Sequence, residues 1–373
     1  VGRRDRRARL DLSIPLWLAL GLAGLALGGE LLVRAASRLA TLLGLSPLVI
    51  GLTVVAWGTS APELAVSLQA GLSGRADLAV GNVVGSNIAN VLLILGVCAV
   101  MAPLVVQAQV VRREVPIGIA AALGVFAMAV DGRIGPPDGV VLVAAMLAYT
   151  AYAVVQSRRE TRAVREEYAE AYGPTERRPK GAAGVARELA ILLAGLVVLV
   201  MGARWLVGSA VAIAQALGVP EVVIGLTVVA VGTSLPELAA SVVASMRGER
   251  DIAIGNAIGS NLYNLLAILG IASLATPGGL QVAPGILRFD LPVMLAVAAA
   301  CLPIFFVGQR LERWEGWMFL GYYAAYLAYL ALDAVDHDAL DEFGFAMVAF
   351  VMPITAATIG VLVWRALREH PAR

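Results

Sequence analysis

Gly51-Leu-Thr-Val-Val-Ala-Trp-Gly-Thr-Ser-Ala-Pro-Glu63 recurs as Gly225-Leu-Thr-Val-Val-Ala-Val-Gly-Thr-Ser-Leu-Pro-Glu237. A second block, Gly81-Asn-Val-Val-Gly-Ser-Asn-Ile-Ala-Asn90, recurs as Gly255-Asn-Ala-Ile-Gly-Ser-Asn-Leu-Tyr-Asn264. Both recurrences share one offset of 174 residues, and more than half of the positions from Gly44 to Gly96 are identical in the second copy. An internal repeat of this length dictates the architecture before any single element is assigned.

The surroundings of the repeat are those of a membrane protein. Of 373 residues, 60% are hydrophobic and only 15% charged, against about half and a quarter in soluble domains. Apolar runs near the roughly 20 residues that a bilayer demands of a helix fall at 14–43, 47–71, 78–102, 114–130, 136–156, 187–217, 220–246, 252–276, 289–308, 315–333 and 343–366. The first run outlasts the roughly 7–15 apolar residues of a secretory leader and reads as a membrane helix. The expected fold is an all-α membrane protein with 5+5 transmembrane helices and one extra C-terminal helix. Its parts are a first half at 14–156, a linker at 157–186, a second half at 187–333 and the extra helix at 343–366.

The second crossing corresponds to the seventh, five crossings later. Five is odd, so the second copy enters the membrane from the opposite side. Such inverted repeats are common in secondary transporters, with substrate sites near the midplane at the repeat interface. Arg112, Arg113, Arg158, Arg159, Arg247 and Arg310 all fall on the side of the 157–186 loop. By the positive-inside rule that side is cytoplasmic. Arg75, Arg133 and Arg288 fall opposite, as does the N-terminal cluster Arg3, Arg4, Arg6, Arg7 and Arg9, which runs against the rule.

The repeated residues are polar ones that a membrane interior otherwise excludes. Pro62 and Pro236 lack an N–H and disturb the helix around them, freeing carbonyls such as that of Gly58. The hydroxyls of Thr59, Ser60, Thr233 and Ser234 add further oxygens. Thr59 and Glu63 stand four apart, and so are expected on one helix face. Glu63 and Glu237, brought together by the pseudo-symmetry, repel unless a cation or protons lie between them. Hard cations such as Ca²⁺ take about six to eight oxygen ligands. No Cys, Met or His lies in the motif, which argues against soft transition metals.

The second block forms another wall. Ser86 and Asn90, and Ser260 and Asn264, make polar stripes with Asn82 and Asn256. Gly81, Gly85, Gly255 and Gly259, with Asn82 and Asn87, read first as packing residues. Asp77 and Asp251 are expected as helix N-caps. Glu30 has Arg204 as its repeat mate and Arg34 one turn away, so either pairing is open. Asp333, Asp336, Asp338, Asp341 and Glu342 read as a solvated acidic turn. Cys98 and Cys301 read as packing residues, and neither His337 nor His370 has catalytic surroundings. The near-zero net charge of +1 gives no basic face for nucleic acid, and no cofactor is called for.

With these motifs in hand, the chain resembles the sodium/calcium exchanger family of the cation/calcium antiporter superfamily, and within it the compact prokaryotic members. The paired Gly-Thr-Ser-x-Pro-Glu and Gly-Asn-x-x-Gly-Ser-Asn blocks look like that family's α-repeats. The resemblance implies exchange of Na⁺ for Ca²⁺ by alternating access, in the cytoplasmic membrane of a prokaryote. It implies ligands at Ala56 (backbone carbonyl), Thr59, Ser60, Glu63, Ser86 and Asn90, and at Ala230, Thr233, Ser234, Glu237, Ser260 and Asn264. It further implies Ca²⁺ on both glutamates and the carbonyls of Thr59 and Thr233, with three Na⁺ sites sharing those carboxylates. The first and sixth crossings would slide as a pair over a fixed core. Some relatives carry Asp where Asn264 stands, so this site has two formal negative charges, which weakens any case for potassium co-transport. The partners are thus Ca²⁺, Na⁺ and the lipid bilayer, with monomer or oligomer left open. The rival readings are a calcium/proton exchanger, an exchanger of Mg²⁺ or Mn²⁺, and an intramembrane protease. Val83-Val84 and Ala257-Ile258 replace the acidic residue of the first rival, and the third needs aspartates in a different motif.

Overall fold

The computed structural model describes residues 2–159, 182–217, 219, 224, 230–335, 337 and 339–369. The chain is mostly helical. In order the helices are α1 (Gly2–Leu43), α2 (Pro47–Thr59), α3 (Ala61–Leu72), α4 (Ala76–Met101), α5 (Val115–Ala129) and α6 (Pro136–Arg159). The second half holds α7 (Ala182–Ala216), α8 (Ala230–Thr233), α9 (Leu235–Met246), α10 (Arg250–Ala275), α11 (Ile286–Phe306) and α12 (Arg313–Ala334). Last comes α13 (Ala339–Trp364).

Among the described residues seven helices are long and apolar enough to cross a membrane: α1 from Ile14, α4, α6 to Arg158, α7, α10, α11 and α13. The pair α2–α3 makes an eighth, broken span bent by 45°. The spans expected at 114–130 and 315–333 fall on α5 and α12. Most of 220–229 and most of the linker lie outside the described residues, so the expected span 220–246 is represented by α8 and α9.

Two short antiparallel ladders join the halves. Strand β1 (Leu104–Val105) pairs with β4 (Arg310–Leu311), and β2 (Arg133–Ile134) with β3 (Leu280–Gln281). The loops bearing β1 and β4 follow helices that run in one direction, and those bearing β2 and β3 follow helices that run in the other. One ladder therefore closes each end of the bundle. A two-fold exchange of the halves maps each ladder onto the other, as inverted repeats require.

Helices α4 and α10 form the centre, with 78% and 83% of their apolar windows buried. Close approach is bought with glycine. A Cβ on Gly259 would sit 2.6 Å from the Leu52 backbone, so α10 meets α2 main chain to main chain. A Cβ on Gly28 would sit 2.5 Å from the Leu199 nitrogen, and one on Gly202 2.7 Å from that of Leu25. Between membrane helices lipid tails compete with apolar side chains, so such van der Waals contact carries association. The apolar core divides accordingly. Leu25, Leu32, Leu39, Leu192 and Leu199 of α1 and α7 pack with Ile50, Ala240 and Ile252 in one cluster. The remainder of α4, α5, α6, α10, α11 and α12 forms another.

Candidate functional site

Both copies of the motif break their helix at the same place. Ser60 has φ −85° and ψ 8°, and Ser234 has φ −87° and ψ 5°. These values lie near the sparsely populated bridge region between α and β conformations. Pro62 and Pro236 then stand in the first turn of α3 and α9. The expected proline kink inside a continuous helix is therefore corrected to a full break. At a helix start the missing N–H costs nothing, because those donors have no intrahelical partner anyway. Thr59 and Glu63 consequently lie on either side of the break rather than on one helix face.

The break has an electrostatic consequence. Glu63 and Glu237 occupy the first turns of α3 and α9, where the helix dipole favours a negative charge. The carbonyl ends of α2 and α8 face the same break, as half-helix ends do at cation sites in transporters. Glu63 and Glu237 are each 1% exposed. Ser60 Oγ donates to Glu237 Oε1 at 2.9 Å, from one repeat to the other. Thr59 Oγ1 also crosses the interface, 3.1 Å from Asn256 Oδ1.

Each glutamate is held by its main chain as well. Asn82 Nδ2 donates to the Glu63 carbonyl at 3.3 Å and to Ser67 Oγ at 3.0 Å. Asn256 Nδ2 donates to the Glu237 carbonyl at 3.2 Å and to Ser241 Oγ at 2.9 Å. Sequence reading placed Asn82 and Asn256 in the wall and missed Ser67 and Ser241. Their signal was present, since Glu63-Leu-Ala-Val-Ser67 and Glu237-Leu-Ala-Ala-Ser241 also repeat. These clamps act on the main chain and leave the carboxylates to other contacts.

Most of the other residues expected as ligands are buried too. Ala56, Thr59, Ser60, Ser86, Asn90, Ser234, Ser260 and Asn264 are all buried. Thr233 is half-buried, and Ala230 opens α8. Both oxygens of Glu63, Oε2 of Glu237, the hydroxyls of Ser86, Ser234 and Ser260, Oδ1 of Asn90 and the whole Asn264 amide lack a hydrogen-bond partner. A buried polar group without a partner costs free energy. Nine of the fifteen such atoms among the described residues lie on residues expected as ligands. An oxygen-binding cation would supply the partner that the oxygens among them lack, the Asn264 Nδ2 donor aside, and would screen one carboxylate from the other. Among the described residues no three acidic, His or Cys side chains are grouped so that they could hold a metal ion. The candidate donor set is two carboxylates plus neutral oxygens.

Other expectations fare unevenly. Asp77 and Asp251 are not N-caps. Arg75 and Glu249 hold those positions, and each aspartate lies inside the first turn, Asp251 accepting from Gln107 Nε2 at 2.7 Å. Glu30 does not pair with Arg204, which is exposed. It pairs with Arg34, one of the two options, and with Arg247, which the sequence did not suggest. Ser37 Oγ donates to Glu249 Oε1 at 2.7 Å, and Arg38 approaches Glu188 at 3.5 Å. Cys98 and Cys301 are buried free thiols. Asp336, Asp338 and His370 lie outside the described residues.

Comparison with known proteins follows the same lines. The family model described as sodium/calcium exchanger protein matches residues 13–155 and 187–332. Inner membrane protein YrbG of Escherichia coli is 37% identical over 286 residues, covering 75% of this chain and 85% of that one. Sodium/calcium exchanger MaX1 of Methanosarcina acetivorans is 35% identical over 334 residues, covering 82% and 95%. Among solved structures, the sodium-calcium exchanger NCX_Mj superposes with a TM-score of 0.71 at 29% identity, covering 84% of this chain and 98% of that one.

Proposed function

The chain belongs to the sodium/calcium exchanger protein family, and from that premise we propose that it exchanges Na⁺ for Ca²⁺ by alternating access. It is a multi-pass membrane antiporter of the cation/calcium class, not an enzyme. The membrane is read as the cytoplasmic membrane of a prokaryote. One observation carries the reading: Ser60, three residues before Glu63, bonds the Glu237 carboxylate across the repeat interface, and both glutamates are buried with oxygens that have no protein partner.

In this reading Ca²⁺ binds between Glu63 and Glu237 with the carbonyls of Thr59 and Thr233. Three Na⁺ ions share the same carboxylates, drawing on Ser60, Ser86, Asn90 and the Ala56 carbonyl, and on Ser234, Ser260, Asn264 and the Ala230 carbonyl. The two loads therefore compete for one charge set. Two carboxylates neutralise one Ca²⁺, whereas three Na⁺ leave one positive charge. Exchange is then electrogenic, worth ~2.3 kcal/mol per charge per 100 mV. The pair α1 and α7 slides over the α4–α10 core, with 14–156 and 187–333 as the inverted halves and 157–186 as a cytoplasmic linker.

The test is Ca²⁺ flux in proteoliposomes under separately imposed Na⁺ and proton gradients. Na⁺-driven uptake that also generates a membrane potential is expected. Uptake driven by the proton gradient alone would assign the chain to calcium/proton exchange instead.

A further inference from the structure

The repeat extends beyond the blocks that the constant offset reveals. After Gly96 the two halves slip by two residues, and a further motif comes into register: Arg112-Arg-Glu-Val-Pro116 with Arg288-Phe-Asp-Leu-Pro292. Glu114 and Asp290 each end a π-helical turn, Val110–Glu114 and Ile286–Asp290. Each accepts a hydrogen bond from a tyrosine on the last helix of its half. Tyr149 donates to Glu114 at 2.7 Å, and Tyr326 to Asp290 at 2.8 Å. The molecule thus contains a second repeat-related pair of carboxylates, separate from Glu63 and Glu237.

The two members differ in their surroundings. Asp290 is half-buried. Glu114 is fully buried and lines a cavity of about 30 Å³ between α4, α5, α10 and α11. That is room for one or two waters or a small cation. Asn87, 2% exposed, lines the same cavity, and neither its Oδ1 nor its Nδ2 has a partner. Asn261, the repeat mate of Asn87, lines it too and accepts from Asn90 at 2.9 Å.

We propose that this cavity is a second cation site, taking one monovalent oxygen-binding cation such as Na⁺ on Glu114 and Asn87. Charge argues for a cation. Tyr149 and the Gln109 side chain, 3.0 Å away, both donate to Glu114, which is the arrangement an ionised carboxylate accepts. Among the described residues no basic side chain pairs with Glu114. Glu114 stands at the cytoplasmic end of its span, yet it is fully enclosed by protein, and a buried carboxylate without a charged partner is costly. Stoichiometry argues for a single positive charge, since the cavity offers one carboxylate and neutral amide oxygens. Softer metals are disfavoured because the Cys301 thiol, also on the wall, is directed to the Val297 carbonyl of its own helix at 3.5 Å. The Asn90–Asn261 hydrogen bond links this cavity to the paired-glutamate site, so occupancy of one bears on the geometry of the other.

Equilibrium ²²Na⁺ binding to the purified chain in lipid nanodiscs tests the site. The background is Glu63→Gln/Glu237→Gln, which removes both carboxylates of the proposed transport site. This variant is expected to retain one Na⁺ per chain. Adding Glu114→Gln or, independently, the cavity-filling Asn87→Leu should weaken that binding at least about tenfold. Asn87→Asp should strengthen it, which a misfolded variant cannot do. Absence of residual Na⁺ in the background variant, or binding indifferent to all three changes, overturns the proposal. Neither result touches Na⁺-driven Ca²⁺ flux by the unaltered chain.

Discussion

The two copies of the motif agree in their backbone and disagree in their side-chain partners. Both break at a serine in the same conformation, and both hold the glutamate carbonyl with an asparagine that also engages a serine. Yet Glu237 accepts from Ser60, while Glu63 and Ser234 have no such partner. Asn90 engages Asn261, while their repeat mates Asn264 and Asn87 are unpartnered. At the helix ends the copies differ in composition. The contacts Glu30–Arg247 and Ser37–Glu249 tie α1 to the loop after α9, and the repeat mates of these four residues are Arg204, Ser73, Val211 and Arg75, which cannot rebuild them. Duplication has preserved the residues proposed to hold the ions and altered the contacts at the helix ends.

The largest effect expected from breaking the shared part is loss of transport. Glu63→Ala and Glu237→Ala should each cut Ca²⁺ uptake into proteoliposomes by about a hundredfold or more, or ~3 kcal/mol. Equal losses support a common ion, whereas full activity in either variant removes that glutamate from the site. Next come the carbonyl clamps. Asn82→Ala and Asn256→Ala should each cost ~1–3 kcal/mol of stability, because a buried bonding group is left open. Thermal unfolding in detergent checks whether Asn256→Ala costs the more, as expected of a fully buried side chain that also accepts from Thr59 when Asn82 is only half-buried.

Smaller effects follow from the parts that differ. Trp57 packs on Tyr263 with ring centroids 4.8 Å apart, while the second copy has Val231 in place of the tryptophan and the first has Ala89 in place of the tyrosine. Trp57→Val should lose ~0.5–1.5 kcal/mol of stability by unfolding measurements. The smallest expected change is that of Arg247→Ala. Its ion pair with Glu30 is partly exposed, so about 1 kcal/mol is its ceiling. Cysteine accessibility on the cytoplasmic side of α1 should rise by no more than about fivefold.

Much of the candidate site was legible because membrane burial makes polar residues conspicuous. Glu63, Ser86 and Asn90 stand out in apolar surroundings, and the constant offset supplies Glu237, Ser260 and Asn264 at once. The proline was read as a kink because its position relative to the helix start depends on the φ and ψ of Ser60, which residue type does not dictate. Ser67 and Ser241 were passed over because a serine on a helix is unremarkable until its asparagine partner is placed. Glu114 and Asp290 escaped for a different reason: two additional residues in the second half end the constant offset before their motif. The partner of Glu30 was out of reach too, since Arg247 lies in a loop whose approach to α1 is set by tertiary packing.

The terminal ladders carry a consequence for how the chain is made. β1 and β2 belong to the first half and find partners only in β3 and β4, more than a hundred residues later. Ser60 and Thr59 likewise await Glu237 and Asn256. Contacts so distant along the chain close late and at an entropic cost. During synthesis the first six helices must therefore wait in the bilayer with polar groups and strand edges unanswered until α9, α10 and the β4 loop arrive, so that maturation ends in one concerted docking of halves rather than in two independent ones.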